Sequence, residues 1–196
     1  MSTLPPHAAE PPQKTELEGR FVRLEPLDPE RHGRHLWQEM AGHDPLWTYM
    51  AYGPFTDQAS FQSWLESRAK LDDPLSFAII EKSSGRALGI ATLMEIRPSM
   101  GVIEIGHILF SPAMQRTPSS TEAVFLLMHY SFETLGYRRF EWKCNGHRNQ
   151  PSIRIIRQVI RSDEIRRWIR SRIQKGHLIR NNRIQVLRED CLSCRS

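Results

Sequence analysis

The sequence lacks several features that would each point to a class of protein. Its 196 residues contain no run of about 18 consecutive apolar residues, which a membrane-spanning helix requires. No basic-then-apolar segment of the kind found in signal peptides opens the chain, and cysteine occurs only three times. These absences predict a protein without a membrane span, in a reducing, cytoplasmic environment, with free thiols.

Metal-ligand patterns are equally scarce. Cys191 and Cys194 have the C-x-x-C spacing of half a zinc site, but neither a second cysteine pair nor a nearby histidine accompanies them. We therefore predict two thiols in the tail and no metal site.

Charge is distributed unevenly along the chain. Residues 153–196 contain 12 Lys and Arg against 4 Asp and Glu, a net charge of +8. The whole chain has 27 against 22, so residues 1–152 have 15 against 18, a net charge of −3. The high pI of about 9.4 therefore reflects the tail. Nucleic-acid binding is predicted only as a possibility of this basic tail.

The length suits one α/β domain with its own core. Residues 1–14 are rich in proline and offer little to bury, so we predict a disordered lead-in. Residues 15–152 form the predicted domain. Residues 153–196, with isoleucines recurring every three to four positions between arginines, predict a basic tail that is helical or poorly ordered.

Apolar spacing and turn residues predict the order of elements within the domain: strand, two helices, three strands, helix, strand. Asp28, followed by proline, and Asp57 are the expected starts of the first two helices. Because one pair of strands is connected as a hairpin and another by a helix, the sheet should be mixed. The predicted fold class is α/β (α+β), with a mostly antiparallel twisted sheet and flanking helices.

Residues 102–123 contain the most informative pattern. An apolar strand from Ile103 to Phe110 leads into a polar turn and a predicted helix over residues 119–135. Ser119, Ser120 and Thr121 can each cap this helix, and Glu122 stands at the capping-box spacing from Ser119. A strand, a turn and a helix start can bind a pyrophosphate, although neither G-x-G-x-x-G nor G-K-[S/T] is present. The alternative is a capped helix behind an ordinary turn.

This block resembles motif A of the GCN5-related N-acetyltransferases (GNAT), and in particular the branch that includes the ribosomal-protein N-acetyltransferases. The resemblance covers about residues 17–152 and implies acetyl-CoA as co-substrate. It places pantetheine along the main chain of Leu109 and Phe110, between two parallel strands that splay apart. It also places the pyrophosphate at a set of turn and helix-start residues. These are Gln115, Arg116, Thr117, Ser119, Ser120 and Thr121.

Two positions of the turn depart from the family pattern. Where the family has glycines, this chain has Pro118 and Ser120. Since Pro118 has no N–H to donate, one phosphate contact made in the family is expected to be lost.

Glu104 is the candidate general base. A carboxylate within an apolar strand is costly unless it is paired or used, and burial would raise its pKa. The alternative is a structural ion pair with an arginine such as Arg139. Strict alternation along the strand would place His107 on the opposite face from Glu104, as a hydrogen-bonded core histidine.

Two further groups are implied by the resemblance. Asn149-x-x-Ser152 matches a family motif in which the asparagine contacts coenzyme A and the serine can protonate the leaving thiolate; an ordinary helix cap is the alternative. An aromatic loop containing Trp47, Tyr49 and Tyr52 would line the acceptor groove; the alternative is a loop held under the core by its aromatic rings.

After Ser152 the family pattern is lost, and the C-terminal strands of the sheet are predicted to be missing. The edge of the fifth long strand would then be exposed. One hypothesis is that the tail is mis-spliced or read out of frame. A shift of one base permits A-K-L-F-G-L-T-R-F-E-G in place of residues 157–167, which resembles the missing family signature. The nucleotide sequence across codons 145–196 tests this hypothesis.

The sequence therefore predicts an N-acetyltransferase that transfers acetyl from acetyl-CoA to a primary amine, either a protein N-terminus or a small molecule. The alternative is a catalytically impaired, truncated protein of this type whose basic tail binds polyanions.

Overall fold

A computed structural model describes residues 9–48 and 50–145 and the strand formed by residues 183–189. The described strands are Leu17–Glu18 (β1), Val22–Pro26 (β2), Leu75–Glu81 (β3), Ala87–Arg97 (β4), Val102–Phe110 (β5), Arg139–Asn145 (β6) and Arg183–Glu189 (β7). The α-helices are Pro29–Met40 (α1), Gln58–Ala69 (α2) and Pro118–His129 (α3), the last continued by a π-helical turn over Tyr130–Thr134. Among these, we find no helix with the length and apolar character needed to cross a membrane.

The strands form one mixed sheet in the order β1 to β7. Neighbours from β1 to β5 are antiparallel, whereas β5 and β6 are parallel and joined through α3. One face packs on α3 through a core that includes Phe77, Ile103 and Leu127, and the other packs on α1 and α2 through Leu36 and Phe61. The predicted fold class is confirmed.

The first two helices begin where the sequence predicted. The Asp28 carboxylate accepts from the N–H groups of Glu30 and Arg31, and Asp57 accepts from the N–H of Ser60 at 2.8 Å. Each cap satisfies donors that have no acceptor within their own helix. Both helices thus start at an aspartate and place their apolar residues against the sheet.

The segment 9–14 lies against the domain. Ala9 is buried, and its N–H donates to the carbonyl of Pro98 at 3.2 Å. The N–H of Glu10 donates to the Leu135 carbonyl at 2.8 Å, and that of Gln13 donates to the Tyr130 hydroxyl at 3.0 Å. The predicted disorder of the lead-in is therefore wrong for these six residues, because backbone donors tie down a segment that has little apolar surface. Residues 1–8 lie outside the described residues.

The far edge of β6 is paired. β7 runs parallel to it in continuous register, from Arg139 opposite Arg183 to Asn145 opposite Glu189. The expectation that no strand follows β6 and leaves its edge exposed differs from the structure, since main-chain pairing supplies a neighbour that the side-chain pattern did not indicate. The helix predicted for the tail lies outside the described residues.

Candidate active site

The two parallel strands at the centre of the sheet separate along their length. Residues 102–105 of β5 pair with residues 139–142 of β6, but no pairing continues from Gly106 to Phe110. The N–H of Ser111 donates to the Leu88 carbonyl at 3.0 Å, so the main-chain groups of Phe110 point away from β4. They face the side that β6 has left, and a gap bordered by main-chain groups results.

A β-bulge marks the place where the strands begin to separate. Gly106 stands opposite Thr92 and Leu109 opposite Ile90, so two residues of β5, at positions 107 and 108, lie opposite one residue of β4. His107 adopts a left-handed conformation with φ of 46°. Bulges bend a strand and redirect its side chains, and they are common beside active sites.

The turn after β5 is held by its own side chains. Gln115 Nε2 donates to the Phe110 carbonyl at 3.1 Å, and Arg116 is exposed with a left-handed φ of 62°. Thr117 caps α3: its hydroxyl donates to the Met114 carbonyl at 2.6 Å and accepts from the N–H of Ser120 at 3.4 Å.

The helix therefore begins one residue earlier than the sequence predicted, and its cap lies before the three predicted candidates. Thr117 is the cap, in place of Ser119, Ser120 or Thr121, and Pro118 occupies the first helical position, where the missing N–H has no intrahelical role. Ser120 N–H donates to the cap, and the N–H of Ser119 stands at the second helical position, where the helix itself supplies no acceptor. The prediction of a helix start at this turn is confirmed, but the residue that caps it was wrong.

The three predicted phosphate ligands at the start of α3 are buried within the protein. Ser119 and Thr121 are 6% and 9% exposed, and Ser120 is 1% exposed with its hydroxyl donating to the Thr117 carbonyl at 2.8 Å. The side chain of Ser120 is thus turned into the helix. An anion at this turn would meet main-chain donors and Arg116 before it met these hydroxyls.

Glu122 serves a different purpose from the one its spacing suggested. Its carboxylate accepts three main-chain N–H groups of the β1–β2 turn, those of Arg20 at 2.8 Å, Phe21 at 2.6 Å and Val22 at 2.8 Å. The capping-box interpretation is wrong, because the side chain reaches away from its own helix end. It fastens the start of α3, and with it the preceding turn after β5, to the edge of the sheet.

Glu104 is buried and ion-paired. It is 4% exposed, and its Oε2 lies 2.9 Å from Lys143 Nζ on β6. The suggested partner, Arg139, instead contacts Glu141, the residue beside Glu104 on the neighbouring strand, which also pairs with Arg97 at 2.8 Å. Burial raises the pKa of Glu104 and the Glu141 carboxylate raises it further, while Lys143 opposes both effects.

The aromatic loop is largely a packed cluster. Trp47 is 5% exposed and meets Phe55 and Trp64 edge-on, at 5.2 and 5.7 Å between ring centroids. Tyr52 is half-buried and stacks obliquely on Trp64 at 4.8 Å. In the structure Trp47 packs in the core, while Tyr52 extends from the cluster toward β5. Tyr49 lies outside the described residues.

The Tyr52 hydroxyl reaches the bulge in β5. Its hydroxyl lies 2.6 Å from His107 Nδ1, and both residues are half-buried. Tyr52 packs on the α1–α2 side of the sheet, away from the face of Ile103 and Ile105, so the bulge turns His107 onto the same side as Glu104. The expectation of opposite faces was wrong, because simple alternation does not hold through a bulge.

Comparison with known proteins identifies the family. A model described as "Acetyltransferase (GNAT) domain" matches residues 22–159, which is 138 of 196 residues. The chain belongs to the GNAT acetyltransferase family.

Two solved GNAT structures are similar in sequence and fold. A GCN5-related N-acetyltransferase from Brucella melitensis is 42% identical, with a TM-score of 0.73 over 77% of this chain and 69% of that one. A GNAT-family protein from Chromobacterium violaceum is 39% identical, with a TM-score of 0.73 over 81% of this chain and 80% of that one.

A curated relative is more distant. Alpha/beta-tubulin-N-acetyltransferase 9 of Mus musculus is 28% identical over 166 residues, which cover 75% of this chain. The match spans 64% of the length of the mouse protein.

Within this GNAT domain the structure brings together some of the predicted site residues. Leu109, Phe110 and the turn from Gln115 to Thr117 lie at the open side of β5, and Glu104 lies on the same strand below the bulge. Asn149 and Ser152 lie outside the described residues. No group of three or more histidine, cysteine, aspartate or glutamate side chains suited to a metal ion occurs within the described part of the chain.

Proposed function

We propose that the protein transfers an acetyl group from acetyl-CoA to a primary amine. The observation that carries this proposal is the separation of β5 from β6 above residue 105, which leaves the main-chain groups of Phe110 without a strand partner on one side among the described residues. A pantetheine arm carries amides that can act as such a partner. Family membership supports the same assignment.

The residues present fit this co-substrate. Phe110 directs its main-chain groups into the gap, where its N–H can donate to pantetheine, and Leu109, whose main chain faces β4, lies beside it. The turn after β5 offers an exposed arginine together with the N–H at the second position of α3. A helix start attracts anions through its free N–H groups and its dipole. We place the pyrophosphate at residues 115–119, and Ser120 and Thr121 contribute by shaping this helix start.

The catalytic residues predicted from the sequence are retained as proposals. An amine arrives as ammonium near neutral pH and must lose a proton before it can attack. Because Lys143 occupies the Glu104 carboxylate, we assign Glu104 to orienting a water that takes this proton. Asn149 is assigned to coenzyme A and Ser152 to protonation of the leaving thiolate, as the family resemblance implies.

The acceptor is proposed to approach from the α1–α2 side of the sheet. Tyr52 reaches this side of β5 next to the bulge, whereas Trp47 holds the loop from within the core. The acceptor is either a protein N-terminus or a small amine. The name of the mouse relative and the sequence resemblance to ribosomal-protein acetyltransferases support a protein acceptor.

The anion turn can be tested by reversing one exposed charge. Arg116→Glu removes an attraction and places a carboxylate beside the pyrophosphate, so acetyl-CoA affinity should fall at least about tenfold, or about 1.4 kcal/mol. Isothermal titration calorimetry at low and high salt measures this change. The loss should shrink at high salt, because exposed charges are screened.

A matched control variant has the same net charge as Arg116→Glu. Arg34 is exposed on α1, away from β5, so Arg34→Glu should leave acetyl-CoA affinity unchanged. Equal affinity of both variants would remove the turn from the binding site. If the unaltered protein bound polyanions through its tail but not acetyl-CoA, the proposed function itself would be rejected.

A further inference from the structure

We propose that His107 is a catalytic base that accepts a proton from the acceptor nitrogen after it has attacked the thioester, and that Tyr52 is the positioning residue that holds the imidazole for this step. The proposal rests on the acetyltransferase function proposed above. It assigns roles to a pair of residues that the sequence pattern placed in the core and in a substrate loop.

His107 lies beside the gap between the two parallel strands. It stands at the bulge, where β5 parts from β6, three residues before Phe110, whose main chain faces this gap. Its left-handed conformation is uncommon for a residue other than glycine and tilts the side chain toward Tyr52. A strained conformation that directs a titratable side chain toward a cleft is a recognised feature of active sites.

The hydrogen bond to Tyr52 engages one nitrogen of the His107 imidazole. Tyr52 Oη lies 2.6 Å from Nδ1, so this imidazole nitrogen is occupied by the phenol. If the Nδ1 proton is donated to the phenol oxygen, Nε2 keeps its lone pair and can accept a proton. The same hydrogen bond then stabilises the imidazolium that forms when Nε2 accepts a proton. In enzymes with a nucleophile and a base, a third group orients the base in this way.

The phenol is fixed from two sides. Its ring stacks on Trp64 at 4.8 Å, and the Arg68 guanidinium lies over it at 5.7 Å. Burial raises the pKa of Tyr52 well above its ordinary value, so the hydroxyl stays protonated and neutral. A neutral phenol oxygen can accept from Nδ1–H.

The acceptor amine attacks the thioester with one proton more than the amide product keeps. The nitrogen lone pair forms a bond to the thioester carbon while the carbonyl π electrons move to oxygen, and the extra proton on nitrogen passes to His107 Nε2. The carbonyl then re-forms and the carbon–sulfur bond breaks; the thiolate takes a proton from its own donor as proposed above, and the proton held by His107 is released to water, which restores the donor. One amine proton is consumed and one thiol is formed, with no oxidant, reductant or further reactant.

The surroundings of His107 determine the pH dependence. Burial lowers its pKa and the Arg68 charge on α2 lowers it further. Tyr52 from the loop is neutral, and the β4 residues at the bulge, Ile90, Ala91 and Thr92, do not titrate. Glu104 and its neighbour Glu141 on β6 lie below the bulge. With its pKa below the ordinary 6.5, the imidazole is neutral at neutral pH, with one N–H and one lone pair, and activity should fall only as the pH drops below that lowered pKa.

The test combines turnover with a measurement that needs no acceptor. His107→Gln should lower kcat about 10²-fold with a short free N-terminal peptide or benzylamine, remove the acidic limb of the pH profile, and leave acetyl-CoA affinity unchanged. Tyr52→Phe removes only the hydroxyl and should shift the acidic limb to lower pH. Arg68→Met removes the charge and should shift it to higher pH, with both shifts about half a pH unit or more.

Nitrogen-15 NMR reads the tautomer directly. The sequence has eight histidines, and the His107 signals are those lost in His107→Gln. Protonation at Nδ1 in the unaltered protein, and mixed tautomers in Tyr52→Phe, are expected. Protonation at Nε2, or His107→Gln with kcat within about threefold of normal, would overturn the proposal while leaving acetyl-CoA binding intact. Failure of the unaltered protein to bind acetyl-CoA would instead reject the acetyltransferase function.

Discussion

Replacing Glu122 by alanine is expected to destabilise the domain by about 3–4 kcal/mol, because it leaves three main-chain donors of the β1–β2 turn without an acceptor. The Glu122 side chain is 5% exposed and its bond from Val22 N–H is buried, so water cannot easily replace the carboxylate there. For a domain of this size the melting temperature should fall by about 10 °C. Calorimetry or a denaturant titration measures the loss.

The same substitution at an exposed glutamate is the control. Glu66 on α2 is exposed, so Glu66→Ala should change stability by no more than about 0.5 kcal/mol. A substitution at Gly19, which lies against the Glu122 carboxylate, tests the same contact independently. A Cβ at this position would lie 2.6 Å from Glu122 Oε2, so Gly19→Ala should push the carboxylate from its donors.

The losses of stability caused by Glu122→Ala and by Gly19→Ala should not be additive. If Glu122 is the group that Gly19→Ala disturbs, the double variant will be less destabilised than the sum of the single variants. Additive losses would show that the glycine matters for another reason. An ordinary melting temperature for Glu122→Ala would show that the three hydrogen bonds contribute little.

The element order was predictable because it depends on local signals. Asp28 and Asp57 each stand before an apolar period of helical spacing, and the strands of the central hairpin are apolar and separated by a glycine-containing turn. These signals act over a few residues, so one sequence is enough to read them. The same holds for the presence of a turn and helix start after β5.

The errors have a common cause in contacts that span long sequence separations. The spacing of Glu122 from Ser119 fits a capping box, but its acceptors are used by donors about 100 residues earlier in the chain. Segment 9–14 bonds to residues near 98 and 130–135, and β7 pairs with β6 across residues outside the described part. None of these contacts leaves a periodic pattern in the sequence.

The β-bulge in β5 changes the predicted arrangement of the site residues more than any other feature of the fold. One extra residue opposite Ala91 reverses the side-chain direction that alternation predicts for the rest of β5. It brings His107 to Tyr52, two residues that are 55 positions apart. A non-glycine residue with a positive φ has no signature in sequence, so a pairing of this kind becomes visible only in three dimensions.

Glu104→Gln should lower turnover near neutral pH by about 10²-fold while acetyl-CoA affinity is kept. The amide has the size of the carboxylate but cannot carry the negative charge that orients a water for proton removal. The deficit should close as the pH rises toward the pKa of the acceptor amine, since free amine then forms without help. This recovery distinguishes Glu104 from His107, whose proposed step follows attack.

Glu141→Gln provides the structural control for this experiment. Glu141 is buried beside Glu104 and pairs with Arg97 and Arg139, so its neutralisation also removes ion pairs from the same face of the sheet. It should lower the melting temperature without changing turnover per folded molecule. If Glu104→Gln behaves in the same way, melting earlier but turning over normally at every pH, its carboxylate serves only to pair with Lys143, and the water-orienting role is excluded.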